Sequence, residues 1–203
     1  MTNETLYLGA NPLNASSTIV EGDYVTRDGE SFYRIANVDG MDDFFISVVS
    51  DSNHWMFIST RGGLSAGRTD CDSALFPYYT EDKIRDNSHN TGSRTIVIAD
   101  QGGKRMLWEP FSRSHTGIYS ITRNLYKNVL GDKLVFEEIN HDLGLQFTYS
   151  WSTSDRFGFV KESVIGAIGD TRATVEILDG IENLLPYGVL AGTQNELSCL
   201  VDA

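Results

Sequence analysis

Apolar and polar residues alternate along most of this chain in short runs, and the runs are broken by small clusters of turn-forming residues. Residues 24–27 and 30–35 flank Asp28-Gly29, a dipeptide that supplies the positive φ angles of a tight hairpin turn. Residues 44–49 and 55–60 are aromatic and β-branched, with Ser50-Asp51-Ser52-Asn53 between them. Residues 94–99 and 104–108 flank Asp100-Gln101-Gly102-Gly103, and runs at 118–125, 133–139, 145–152, 157–165 and 173–178 continue the rhythm. A period of two sends successive side chains to opposite faces of a strand. Many such strands with little helix between them predict an all-β sandwich or barrel with a few short helices.

Helix signals are sparse. Thr80-Glu81-Asp82-Lys83-Ile84-Arg85 places a cap first, acids early and bases late, which predicts one turn. Asp179 and Glu182 stand at capping-box spacing ahead of Leu184-Leu185, predicting a short helix that Pro186 ends. Thr193 and Glu196 repeat that spacing, with Leu197, Leu200 and Val201 on one face and no Gly or Asn cap before Ala203. This last segment predicts the first turns of a longer helix with a partly uncovered apolar face. The expected division is therefore 1–192 as the sandwich and 193–203 as the start of a helical linker to a missing C-terminal domain.

A chain of 203 residues can bury enough surface to fold without a disulfide or a metal. Its net charge of −12 repels phosphate backbones, so no nucleic-acid partner is expected. The N-terminus lacks a basic, then apolar, leader, and no apolar run reaches the length of a membrane span. A cytoplasmic protein with no membrane partner is expected. Cys71 and Cys199 show no metal spacing and read as free thiols of a reducing compartment; whether they ever pair stays open. His54, His89, His115 and His141 fall in no metal-binding pattern, and no phosphate loop, dinucleotide fingerprint or nucleophile elbow occurs. Neither a metal nor a cofactor is expected. Acid–base chemistry on sugars needs two carboxylates flanking a glycosidic bond. Asp70, Asp72, Glu81, Asp82, Glu137, Glu138 and Asp155 are all available, and the sequence selects no pair among them.

The stretch 61–84 breaks the strand rhythm by mixing glycines, aromatics and charges of both signs. It predicts a long ordered loop at one end of the sandwich. Trp55, Phe76, Tyr78 and Tyr79 suit stacking on the apolar C–H faces of sugar rings. Arg61, Arg68, Asp70, Asp82 and Lys83 suit hydrogen bonds to hydroxyls, or the rim of an interface. The competing reading is a loop pinned by its own aromatics and ion pairs, covering an open sheet end.

Four segments carry a resemblance: Phe147-Thr148-Tyr149-Ser150-Trp151, the run from Asp155-Arg156-Phe157-Gly158-Phe159 to Ser163, Leu178-Asp179-Gly180-Ile181-Glu182-Asn183-Leu184-Leu185-Pro186, and Ala74-Leu75-Phe76-Pro77-Tyr78. In them the chain resembles the N-terminal β-sandwich of cellobiose-phosphorylase-like glycoside hydrolases. The resemblance implies a galactose mutarotase-like super-sandwich of two antiparallel sheets. It also implies a following helical linker and an (α/α)6 barrel that holds the catalytic acid. No catalytic residue of that family maps onto a position here. The isolated chain is accordingly expected to be non-catalytic, within a parent glycoside phosphorylase or hydrolase. Its implied partners are carbohydrate, the (α/α)6 domain, or a second copy in a homodimer, with 61–83 as the contacting segment. Two alternatives remain open: a stand-alone aldose epimerase, which needs a His acid and a Glu base in one cleft, and a carbohydrate-binding module.

Overall fold

The computed structural model describes residues 7–9, 11–12, 19–77, 81–86, 88–186 and 188–197. Turn chemistry sets the first hairpin. After a two-residue ribbon, β1 (Tyr7–Leu8) and β2 (Asn11–Pro12), the chain forms β3 (Glu21–Arg27) and β4 (Glu30–Ala36). Asp28 (φ 51°) and Gly29 (φ 81°) join these two strands in the left-handed conformations that an Asp-Gly turn requires. There follow β5 (Phe45–Val48), β6 (His54–Ser59), β7 (Leu64–Arg68), helix α1 (Glu81–Asp86), β8 (Gly92–Gln101) and β9 (Lys104–Trp108). The described chain continues with β10 (Ile121–Asn128), β11 (Lys133–Asn140), β12 (Leu145–Ser154), β13 (Gly158–Ala167), β14 (Thr174–Glu182) and α2 (Ala191–Glu196).

Every strand pairing among the described residues is antiparallel. A six-stranded sheet runs β13-β12-β11-β10-β4-β3, and two three-stranded sheets run β5-β6-β7 and β14-β8-β9. The protein is an all-β sandwich, with its second layer divided between the two smaller sheets. Register puts Leu125, Phe136 and Tyr149 on one rung and hence on one face of the large sheet. That face shares one core with Met56, Ile58 and Leu64 of the β5-β6-β7 sheet and with Val97, Ala99 and Trp108 of the other. The Phe136 and Tyr149 rings stack at 4.7 Å, and burial pushes the Tyr149 phenol far above its usual range. Burying a side chain of this size contributes about 1.5–3 kcal/mol, so the shared face dominates stability.

One side of the sandwich is closed by charge. Lys161 on edge strand β13 donates to both carboxylate oxygens of Asp179 on edge strand β14, each at 2.8 Å. The Thr95 hydroxyl adds a third bond to Asp179 at 2.6 Å. This arrangement corrects the expected helix at 179–185. The segment through Glu182 instead pairs with β8 over nine rungs, Thr174 to Glu182. A capping box is worth about 1 kcal/mol, and a ladder of that length with a doubly bonded Asp179 outweighs it.

The final helix also differs from the sequence reading. It starts at Ala191 rather than Thr193, its N-cap position is Leu190, and no side chain caps it. Thr193 lies inside and accepts the Leu197 N–H on its carbonyl. Leu197 is 49% exposed, while Leu200 and Val201 lie outside the described residues.

Candidate functional site

The four segments that carry the resemblance meet in space. Trp151 near the end of β12, the turn Asp155-Arg156-Phe157 and Phe159 of β13 line one side of an open groove of about 400 Å³. Leu75 and Phe76 line another side, with Ile181 of β14 and Leu184 just beyond it, and His54 and Arg68 complete it. A backbone bond from Leu185 N–H to the Leu75 carbonyl at 2.8 Å ties two of the segments together.

Local rules explain why the groove forms here. Gly158 has φ 74°, and a Cβ on it would come within 2.9 Å of the His54 ring nitrogen, so glycine lets the turn close on His54. His54 is held between Ser52, whose hydroxyl is 2.6 Å from Nδ1, and the edge of Phe159, with ring centroids 5.2 Å apart. The floor is rigid: Phe76 and Trp151, each 2% exposed, meet edge to face at 6.3 Å. The rim is open, with Phe157 71% exposed and the Arg156 guanidinium 5.0 Å above its ring. The Trp151 Nε1–H is buried and has no acceptor among the described residues. Aromatic rings beside two arginines and a carboxylate suit a polar ligand with apolar faces.

The sequence-predicted site residues divide. Trp55, Arg68 and Asp70 come together: Arg68 pairs with His54 across the β6–β7 ladder, and the Trp55 Nε1–H donates to the Asp70 carbonyl at 3.1 Å. Of these, Arg68 lines the groove. Arg61 does not join them, because it sits in the turn at the other end of the same hairpin. Strands advance about 3.3 Å per residue, so more than about 13 Å of ladder lies between. Phe76 is a core residue and offers no stacking face. Asp82 and Lys83 lie on α1, and the Lys83 side chain is exposed. Tyr78 and Tyr79 lie outside the described residues. The stretch 61–84 is also less of a loop than expected, since it contains β7, whose Leu64, Ser65, Ala66 and Gly67 are buried. Sequence reasoning left Trp151, Asp155, Arg156 and Phe157 out of the candidate site. The signal that could have found them was their presence in the segments of the resemblance.

The most deeply buried carboxylates serve the fold. Glu137 and Glu138 are neighbours on β11 and point to opposite faces. Glu137, 5% exposed, accepts from Asn124 at 2.7 Å, the Tyr126 hydroxyl at 2.6 Å and Gln146 at 2.7 Å. Burial, and donation to Glu137, push the Tyr126 phenol up to about 12. Glu138, 1% exposed, accepts from Trp108 Nε1 at 2.8 Å, the Phe111 N–H at 2.7 Å and Arg123 Nε at 2.8 Å. Each of these carboxylates is thus engaged by three donors of the fold itself. Asp155 stands in the groove without a second carboxylate lining it among the described residues. No group of three His, Cys, Asp or Glu residues arranged for a metal occurs among the described residues. Cys71 is an exposed free thiol, and Cys199 lies outside the described residues. Among the described residues no helix is long and apolar enough to cross a membrane.

The fold and site together define an antiparallel β-sandwich with an open aromatic and cationic groove at one end. No protein-family model matches the chain, and no curated protein matches it at a significant level.

Proposed function

We propose that this chain is a non-catalytic sandwich domain of a larger carbohydrate-active enzyme, a glycoside phosphorylase or hydrolase, and that it binds carbohydrate in the groove. What supports this reading above all is the convergence of four separate sequence segments on one opening. Each of the four segments resembling the cellobiose-phosphorylase-like sandwich contributes lining residues to that groove. Phe157 offers a ring face to a sugar, and Arg68, Arg156 and Asp155 offer hydrogen bonds to hydroxyls. The three donors on each of Glu137 and Glu138 favour the non-catalytic part of the reading over an epimerase.

Calorimetric titration of the chain with cellobiose, maltose and cello-oligosaccharides tests the proposal. Saturable binding is expected, weakened about tenfold or more by Phe157→Ala and by Arg156→Ala, as for loss of a stacking or charged contact. Both side chains are exposed, so the melting temperature should stay nearly constant. No binding by any of these sugars would overturn the groove assignment, and turnover of a sugar by the isolated chain would overturn the non-catalytic one.

A second reading draws on the rim. Phe157 and Leu184, 71% and 58% exposed, together with Ile181 at 41%, also suit docking of a neighbouring catalytic domain. In the full-length enzyme, Phe157→Ala would then impair assembly while the KM for sugar stays unchanged.

A further inference from the structure

The arginines have an organisation of their own, away from the groove. In a chain of net charge −12, Arg61, Arg94, Arg113 and Arg123 gather at two adjoining cavities of about 400 and 60 Å³. These lie at the β6–β7 turn, the far end of that hairpin from the groove. Two of the four are spent on carboxylates. Arg94 holds Glu109 at 2.7 Å, and Arg123 holds Glu138 at 2.8 Å and the Ser112 carbonyl at 3.2 Å.

Arg61 and Arg113 keep their capacity, and both line both cavities. The carboxylate paired with Arg61, on Asp43, is 3.8 Å away, beyond hydrogen-bond reach, and is itself bonded by the Thr60 hydroxyl. The Arg113 guanidinium is exposed and makes no ion pair or hydrogen bond among the described residues. Among the described residues, Asp39 is the carboxylate lining the larger cavity, and Glu109, already held by Arg94, lines the smaller.

Facing the arginines is an apolar wall made by Phe111, backed by the buried Phe136. Phe111 has φ 64°, in the left-handed region that an aromatic residue seldom adopts. Its N–H is anchored to Glu138 at 2.7 Å, and its ring meets Phe136 at 6.2 Å and Tyr149 at 5.2 Å, both edge to face. Strain of this kind persists only where surrounding contacts over-determine it, and it clusters at ligand sites. Here it sets a ring as a fixed wall opposite two unspent guanidinium groups.

We propose that the larger cavity binds a small organic anion. Its phosphate or carboxylate group is held by Arg61 and Arg113, and its body rests against Phe111. A guanidinium presents a planar fork of donors that matches either oxyanion. The acidic surface elsewhere makes this the place where such an anion meets favourable charge. The proposal is independent of the sugar assignment of the groove, because the two sites share no lining residue.

Calorimetric titration of the chain with inorganic phosphate, glucose 6-phosphate, glucuronate and neutral glucose tests it. The variants are Arg61→Gln, Arg113→Gln and, as a control, Arg105→Gln, whose ion pair with Glu176 is exposed on another strand. Glucose 6-phosphate or glucuronate is expected to bind more tightly than inorganic phosphate, and glucose is not expected to bind at this site. Each cavity substitution should weaken binding about tenfold or more, in line with loss of a charged hydrogen bond. Arg105→Gln should stay within about twofold, and added salt should weaken the natural protein's binding. Binding of inorganic phosphate as tight as either organic anion overturns the role of the apolar wall. No anion binding, or binding that survives both cavity substitutions, overturns the site.

Discussion

Glu137 and Glu138 carry identical side chains on adjacent positions, and alternation along β11 sends them into unrelated networks. The Glu138 network joins β9, β10 and the 111–112 turn through one carboxylate. Removing that carboxylate leaves Arg123, 16% exposed, beside an empty acceptor site. Glu138→Ala should therefore destabilise the fold by about 3–5 kcal/mol, as for breaking a buried ion pair. Urea denaturation measures it, and a loss below about 1 kcal/mol would contradict the network's structural role. Asp179 gives a pH prediction. Burial raises its carboxyl, but hydrogen bonds from Lys161, Thr95 and Ser163 outweigh that and hold it below the ordinary value. A folded pKa below the unfolded one, about 3.9, stabilises the fold above that pH. The contribution is lost as pH falls through the lower folded value. Asp179→Asn should flatten the acid limb of the stability–pH curve and leave its neutral region without slope from this site. An unchanged acid limb would show that the β13–β14 closure contributes nothing.

At the scale of elements, strands with clean alternation and strong turns were legible in the sequence. The Asp28-Gly29 hairpin, the Gly102-Gly103 turn between β8 and β9, and the rhythm from β10 to β13 follow from local rules. The strand β7, Leu-Ser-Ala-Gly-Arg, was not legible, because its central residues Ser65, Ala66 and Gly67 are small and show no alternation. These three are small because the middle of β7 is covered. Ala66 accepts backbone bonds from Leu75 and Phe76, and Gly67 bridges Ala74. A Cβ on Gly67 would meet Trp55 at 2.6 Å and the backbone of Ser73 and Ala74 at 2.8 Å. Gly67→Ala should thus cost about 1–3 kcal/mol, as overpacking does. It should also move the Trp55 indole, read as a fluorescence shift. A neutral effect on both would mean that the 71–76 segment is not packed on β7. The expected helix at 179–185 failed for the complementary reason: a capping box is local information, and pairing with β8 is not.

At the scale of the molecule, the β6–β7 hairpin separates two openings of different character. The aromatic groove lies at its His54–Arg68 end, and the arginine cavity lies at its Arg61 turn. The sequence placed Arg61 and Arg68 in one candidate site because they are close along the chain, while a hairpin holds such residues a strand's length apart. Conversely, Leu75, Trp151, Phe157 and Leu184 are distant in sequence, and the sandwich brings them to one rim. Composition and spacing carry no information about that juxtaposition. The measurement that tests the central assignment most directly uses the three tryptophans as internal probes. The Trp108 and Trp55 indole N–H groups are bonded to Glu138 and to the Asp70 carbonyl, whereas that of Trp151, at the groove, has no acceptor. In nitrogen–proton correlation spectra of the chain titrated with cello-oligosaccharide, the Trp151 indole signal should shift saturably while that of Trp108 stays fixed. Unmoved Trp151 at saturating sugar, or shifts centred on residues outside the groove, would contradict the carbohydrate assignment.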